Sequence, residues 1–429
     1  MKAQAVAPSL AVLFLVNVLN FYDRNALGAV TEPIRHEFHL SDTQIGALPT
    51  LFTVIYALAG LPLGRLADTW SRRRLLVIGV TAWSALTGLG ALAVSYWMLL
   101  LTRMGVGIGE AVCAPAATSW IGDMASTGQR ARAMAGFMMA VPVGTLLSFT
   151  ITGPVAQAHG WRIALAVAAL PAVALVPALL WLKEPVRPKA LPVERSSGIG
   201  ILLRNPVFRW ITASGAVVNF ILYTFAAFLS AFLTRFHGLS VANAGLGTGI
   251  GLGASGILGA IAAGVCGDRV IRKRRNGRML LCAAACACAA PASFAAILLP
   301  AGNAAPAMVL LMAANTLLLT YYGLVYSTIQ DIVPPNLRGT AMAVYFVVMY
   351  LCGASFGPLV TGGLSDHFAA RAAQSAGSAV VTEAARAIGL HHAMYVIPVL
   401  SLVLAAVLWT GARAMLDVQP VKPRFFNRA

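Results

Sequence analysis

Apolar runs of membrane-spanning length recur from one end of this chain to the other, and that recurrence restricts it to a helical membrane fold. A span needs roughly 20 predominantly apolar residues to cross about 30 Å of hydrocarbon. Such runs are expected at about residues 8–30, 45–66, 75–94, 98–122, 132–155 and 163–182, then 208–233, 242–266, 279–299, 306–332, 340–364 and 393–412. The layout is six, a polar linker, and six. Lys183 to Asn205 form the linker and hold Pro185, Pro188, Pro192 and Glu194. An all-α membrane protein of twelve helices follows, with six-helix bodies at 1–183 and 208–429 joined by 184–207. Composition agrees, since only 10% of residues are charged against roughly 25% in a soluble domain.

The formal net charge of +17 would suit nucleic acid, but its distribution argues otherwise. With the N-terminus inside, 24 of the 31 Lys and Arg residues fall on inner segments. Outer loops hold Arg35, Arg162, Arg235, Arg371 and Arg386, and Arg24 and Arg103 lie within spans. This bias predicts that both termini face the cytoplasm of an inner membrane. The basic surplus then serves topology and contact with anionic lipid headgroups. Nucleic acid is not an expected partner, because no basic-aromatic soluble module is present. The stretch after Lys2 resembles a signal sequence in part, yet it carries Asp23 and Arg24 and leads into further spans, so a retained helix is expected. Cys113, Cys266, Cys282, Cys286, Cys288 and Cys352 sit in or at the ends of apolar spans. They are expected as small packing residues, and neither a metal nor a cofactor is indicated.

After the second span the chain reads Gly64-Arg65-Leu66-Ala67-Asp68-Thr69-Trp70-Ser71-Arg72-Arg73-Arg74. Here it resembles the major facilitator superfamily, whose loop between helices two and three has the pattern G-x-L-x-D-x-x-x-R-[RK]-[RK]. A carboxylate at a helix end beside a short basic loop can form a charge cluster that breaks when two bodies rock. Six helices later, Gly264-Val265-Cys266-Gly267-Asp268-Arg269 with Arg272, Lys273, Arg274 and Arg275 fills the equivalent loop. Asp123 with Arg130 and Arg132-Ala133-Met134 likewise matches Asp331 with Arg338-Gly339-Thr340-Ala341-Met342. Two parallel six-helix repeats are therefore expected. Gly64, Asp68, Arg72, Asp123, Arg132, Asp268, Asp331 and Arg338 become the candidate gate residues.

Two enzyme-like patterns fail on context. Gly353-Ala354-Ser355-Phe356-Gly357 fits G-x-S-x-G but lies in an apolar span that continues into Pro358, which favours packing or a kink. Gly251 to Gly256 fits G-x-G-x-x-G without a βαβ unit. Its neighbours Gly245, Gly249 and Gly253 form a stripe that allows close helix approach. No enzyme is expected.

Charges inside spans are costly and mark functional candidates. In the first span Asn17, Asn20, Asp23 and Arg24 fall within an arc of roughly 120°. In the fourth, Arg103 and Glu110 share a face about 10 Å apart along the axis, with Gly105 and Gly109 opposite. The resemblance implies that the first and fourth helices of each half line a central cavity. Carried over, it gathers Asp23, Arg24, Arg103 and Glu110 into one constellation. The arginines are candidates to hold an anionic group or to pair with the carboxylates, and Asp23 or Glu110 is a candidate to exchange a proton. A permanent ion pair that only fixes packing is the alternative. The second half offers polar and aromatic residues instead, among them Asn219, Tyr223, Asn315, Tyr321, Tyr322, Tyr326 and Tyr345. A charged wall facing an uncharged one suits an amphiphile, and Asn20, Asn219, Tyr223 and Tyr322 join the candidate substrate site.

Within the superfamily, the chain resembles the Spinster family of lysolipid and sphingolipid transporters. Asn20-Phe21-Tyr22-Asp23-Arg24-Asn25, Arg103 to Ala111, and Ala140-Val141-Pro142-Val143-Gly144 carry the resemblance. Phe149 and the Gly153-Pro154 step depart from the antiporter pattern of helix five, so exchange does not follow from that helix. The resemblance implies a carrier of lysophospholipid or sphingosine-phosphate-like lipid, with proton linkage as an option; a monomer is the expected state. A carrier of drugs or small organic anions is the main alternative; a passive channel or scramblase comes next.

Overall fold

A computed structural model of the chain describes residues 6–126, 129–185, 198–272, 274–334 and 337–417. Pro188, Pro192 and Glu194 of the linker, and Lys273, lie outside them. Helix α1 is Val6–Ala29. It is followed by α2 Asp42–Thr69, α3 Arg72–Ala91, α4 Tyr96–Met124, α5 Arg132–His159 and α6 Trp161–Trp181. The remainder are α7 Pro206–Arg235, α8 Val241–Ile271, α9 Gly277–Leu298, α10 Ala304–Ile332, α11 Arg338–Ser375 and α12 Glu383–Leu416. Among the described residues, the eleven helices α2–α12 are long and apolar enough to cross a membrane. At 24 residues, α1 reaches about 36 Å. The fold is all-helical and multi-pass.

Several helices outrun the expected spans. α11 has 38 residues and α12 has 34, because polar and alanine-rich segments continue the helix beyond the apolar run. Two short helices, Thr31–Phe38 and Gly198–Arg204, lie between spans. Side-chain caps explain where helices start. Ser41 and Gln44 form a capping box at α2, Ser71 caps α3, and Asn205 with Pro206 opens α7. α8 and α11 each contain a π-helical turn, at Ile250–Ala254 and Met349–Ala354. The second runs into the start of the glycine pattern Gly353–Gly357 that predicted packing or a kink.

Alternating helix directions give the bundle a near face, where α1 begins and α12 ends, and a far face opposite. α5 packs along α8 and α2 along α11, so the first six helices meet the last six through these two seams. The glycine stripe of α8 does what its spacing predicts. A Cβ added to Gly245 would lie 3.1 Å from the Cα of Gly153 in α5. Gly109 similarly lies against Trp83 of α3, where an added Cβ would meet the Trp83 Cβ at 3.0 Å.

The apolar core is unevenly shared. One cluster, including Leu13, Val16, Leu75, Trp120, Ile121 and Leu179, is built from the first six helices alone and lies toward the near face. The other joins Ile34, Leu40, Ile45 and Leu48 to Phe228, Phe232, Ile297 and Leu390, fusing both sets of helices toward the far face. Cys113, Cys282 and Cys286 are buried as expected, whereas Cys266, Cys288 and Cys352 are exposed. Packing therefore explains only three of the six thiols.

Candidate functional site: a buried charge cluster between two locks

In the second half of α1 and the first half of α4, the four expected charges converge. Arg24 donates from Nε and Nη2 to Oε2 of Glu110, at 3.3 and 3.1 Å. Its side chain is 7% exposed and that of Glu110 is 0%. Among the described residues Arg103 makes no direct bond to a carboxylate; its Nη1 donates to the backbone carbonyl of Asp23 at 3.4 Å. Asp23 is fully buried. Neither of its carboxylate oxygens, nor Nε or Nη2 of Arg103, nor Oε1 of Glu110, has a hydrogen-bond partner among the described residues. Thr87 and Arg103 stand within electrostatic reach of Asp23, and Asn20 stands beside Glu110.

The predicted polar arc of α1 divides. Asn17 turns to packing and donates to the Phe137 carbonyl at 3.2 Å, while Asn20, Asp23 and Arg24 stay with the cluster.

Aromatic rings surround the Arg24 guanidinium. Its carbon lies 4.3 Å from the ring centre of Tyr56, 4.9 Å from Phe21 and 5.3 Å from Phe52. Such contacts are worth about 2 kcal/mol when desolvated. Tyr350 of α11 and Tyr223 of α7 close the opposite side, with Tyr350 ring centres 5.5 Å from Tyr56 and 6.5 Å from Tyr223. Tyr322 donates to Oδ1 of Asn219 at 2.9 Å behind them. Tyr321 and Tyr345 are fully buried and bonded to each other at 3.2 Å. Asn315 bonds Ser255. These last three serve packing within the second set of helices.

At the far face an ionic lock joins the two sets. Arg235 at the end of α7 donates to both oxygens of Asp42 at 2.8 Å and to Glu32 at 2.7 Å. Arg35 bonds Glu32 at 3.2 Å and reaches Glu383 at the head of α12 at 2.6 Å. Asp366 of α11 accepts from the backbone N–H groups of Asp42 and Thr43, at 2.9 and 2.8 Å. It thereby caps α2 from across the seam, the favoured place for an anion.

At the near face, Arg72 is fully buried at the start of α3. It bonds Asp123 at 2.6 Å, Ser119 at 3.1 Å and Glu184 at 3.1 Å. Glu184 also accepts from Ser71 Oγ at 2.6 Å and from the backbone of Arg72 at 3.0 Å. Burial raises the Glu184 carboxyl, but the bonds from Ser71 and Arg72 outweigh it and hold it at about 2. In the second set, Arg278 bonds Asp331 at 2.6 Å and lies 3.5 Å from Asp268.

The sequence profile of the Major Facilitator Superfamily matches residues 13–358. This chain is a member of the major facilitator superfamily. It is a secondary transporter, not an enzyme. A "MFS-type efflux pump" of Mycolicibacterium smegmatis is 32% identical over 371 residues, covering 83% of this chain and 84% of that protein. "Protein spinster homolog 1" of Homo sapiens is 29% identical over 385 residues, covering 83% and 72%. A crystal structure of a bacterial homolog to the human lysosomal transporter Spinster, inward-facing and unoccupied, superposes with a TM-score of 0.85 at 26% identity, covering 97% of this chain and 99% of that one. The expected resemblance to Spinster proteins is thereby borne out.

As in other members of the superfamily, the chain has its signature loop at the near face, but the contacts there differ from the simplest expectation. Asp68, Arg132 and Asp268 are exposed, and Gly64 is half-buried with only Pro115 near its missing Cβ. The carboxylates that hold Arg72 are Asp123 and Glu184. Arg338 donates to the Val333 carbonyl at 3.4 Å, while Arg278 takes Asp331. Sequence reasoning passed over Glu184, Arg278, the far-face lock, and the pair Tyr56 and Tyr350. A signal existed for Arg278: it lies six residues from Arg272, at the head of α9, as Arg72 lies at the head of α3.

Proposed function

We propose that this transporter moves an anionic, single-tailed amphiphile of the lysophospholipid or sphingosine-phosphate class by alternating access, coupled to protons through Asp23 or Glu110. The observation that carries the reading is the asymmetry at Arg24. A guanidinium paired with Glu110 and walled by Phe21, Phe52 and Tyr56 faces Tyr223 and Tyr350 across the bundle. An anionic headgroup competing with Glu110 for Arg24, with its tail along the uncharged wall, matches that arrangement. The near face with the basic loops is assigned to the cytoplasm by the positive-inside bias, and the membrane to a bacterial inner membrane. The bodies that rock are 1–183 and 208–429, with 184–207 between them. The far-face lock and the shared far-face core support an inward-facing arrangement, the state of the similar bacterial crystal structure. Gly64, Asp68, Arg72, Asp123, Arg132, Asp268, Asp331 and Arg338 are assigned to the cytoplasmic gate, and Asn20, Asn219 and Tyr322 to the substrate wall with Arg103.

Uptake of labelled lysophosphatidic acid into proteoliposomes under an imposed pH gradient tests the reading. Arg24→Ala is expected to weaken binding about tenfold or more, the loss of one charged hydrogen-bonded contact. Asp23→Asn or Glu110→Gln is expected to flatten the pH dependence. Unchanged pH dependence in both variants removes the coupling, and absence of any lysolipid binding removes the substrate class. A second reading, a carrier of drugs or small organic anions, is favoured by the efflux-pump relative. Competition by short soluble anions but not lysolipids would establish it. Counterflow with saturation would separate either carrier from a passive channel.

A further inference from the structure

The π-helical turn of α11 stands between the charge cluster and the far-face lock. Tyr350, on that turn, faces Tyr56 and Tyr223 around Arg24. Its carbonyl accepts from both the backbone N–H and the hydroxyl of Ser355, at 3.0 and 2.8 Å. This bond five residues back defines the extra residue of a π-turn. Thr50 of α2 donates to the Ser355 carbonyl at 2.5 Å, tying the turn to the other set of helices. Beyond it the α2–α11 seam is continuous. Gly46 presses on Pro358, Gly362 presses on Asp42, Ser365 donates to Asp42 at 2.6 Å and Asp366 caps α2. Gly353 and Gly357 meanwhile hold α11 flat against Ala216 and Phe220 of α7. A tight seam transmits displacement, because packed interfaces switch between discrete arrangements and do not stretch. The turn supplies the compliance: closing a π-turn into an α-turn removes one residue from the turn, about 100° of rotation.

We propose that Tyr350 is a positioning residue that passes the state of the Arg24–Glu110 pair along the α2–α11 seam to the far-face lock, with the π-helical turn at Met349–Ala354 as the hinge. Displacement of Glu110 from Arg24 shifts the rings around the guanidinium. Tyr350 follows, the turn changes register, and the segment from Pro358 to Asp366 loosens its hold on the head of α2. The proposal rests on the reading above only in taking the Arg24 pair as the site that responds during transport.

Its test needs no substrate, so it stands or falls separately from the lysolipid assignment. Amide hydrogen exchange is measured by mass spectrometry on purified protein in phosphatidylethanolamine–phosphatidylglycerol nanodiscs. Arg24→Leu, which removes the pair, is expected to speed exchange in segments 42–50 and 358–366 by about threefold or more. In a Tyr350→Leu background the same change is expected to add less than half of that effect on the logarithmic scale, the non-additivity of coupled residues. Tyr350→Phe, which keeps the ring contacts, restores the full response. An equal response to Arg24→Leu in both backgrounds overturns the proposal, as does no response in the otherwise native chain. If Tyr350→Leu does not fold, Ser355→Ala takes its place: it frees the turn, must blunt the response likewise, and overturns the proposal if it does not.

Discussion

The two near-face ion clusters occupy equivalent places in a repeated sequence, yet they are physically unlike. Arg72 is 0% exposed and its partners Asp123 and Glu184 are 23% and 20% exposed. Arg278 is 17% exposed, and its partners Asp331 and Asp268 are 53% and 76% exposed. Arg72 and Arg278 each stand at the head of the third helix of their set, and Asp123 and Asp331 each at the end of the fourth; burial separates their energetics. A desolvated arginine with two carboxylates is expensive to disturb, since removing one partner strands charge in a poor solvent. Exposed pairs are screened and contribute little. The first set of helices is thus pinned at its near face, and the second is only dressed with charge there.

Four measurements would break or sharpen this contrast. Arg72→Ala should have the largest effect, leaving Asp123 and Glu184 facing each other. Discounted for their partial exposure, the loss should fall near the lower end of the about 3–5 kcal/mol expected for a broken buried pair. Thermal unfolding in detergent would read it; a loss no larger than that of Arg278→Ala would void the contrast. Arg72→Lys should fall between, because an ammonium cannot reproduce the forked bonds to Asp123 and Glu184.

Glu184 gives a pH test with a definite sign. Its folded carboxyl sits at about 2, below the roughly 4.3 of an unperturbed glutamate. Its contribution is therefore complete above about 4.3 and is lost as pH falls toward about 2. Glu184→Gln should remove this acid-side slope in the unfolding profile, and persistence of the slope would show that other carboxylates carry it. Arg278→Ala should have the smallest effect, within about 1 kcal/mol, and should shrink further in high salt.

Much of the fold was legible because membrane solvation is an unforgiving constraint. Apolar runs gave the helices, and the misjudged ends of α11 and α12 lie where residues outside the hydrocarbon continue a helix that hydropathy cannot see. The charge cluster was legible for the same reason, since Asp23, Arg24, Arg103 and Glu110 are costly where they sit. Pairing within it was not: Arg103 takes the Asp23 backbone and Arg24 takes Glu110, a choice made by packing. The far-face lock left no local trace. Arg35 and Glu383 are 348 positions apart, and each reads alone as an ordinary loop charge. Tyr56 and Tyr350 were hidden because an aromatic residue in an apolar helix is unremarked until a cation is placed against it. Arg278 was obscured by the run of basic residues just before it.

The burial of the far-face lock bears on how the carrier responds to its surroundings. The side chains of Arg35 and Arg235 are 4% exposed, those of Glu32 and Asp42 7% and 1%. Counterions in the surrounding solution therefore cannot approach these four groups as they approach a surface pair. Added salt should therefore leave the contacts among these four side chains unchanged and weaken only the arm to Glu383, whose side chain is 60% exposed, so release of the buried part has to arrive through the protein.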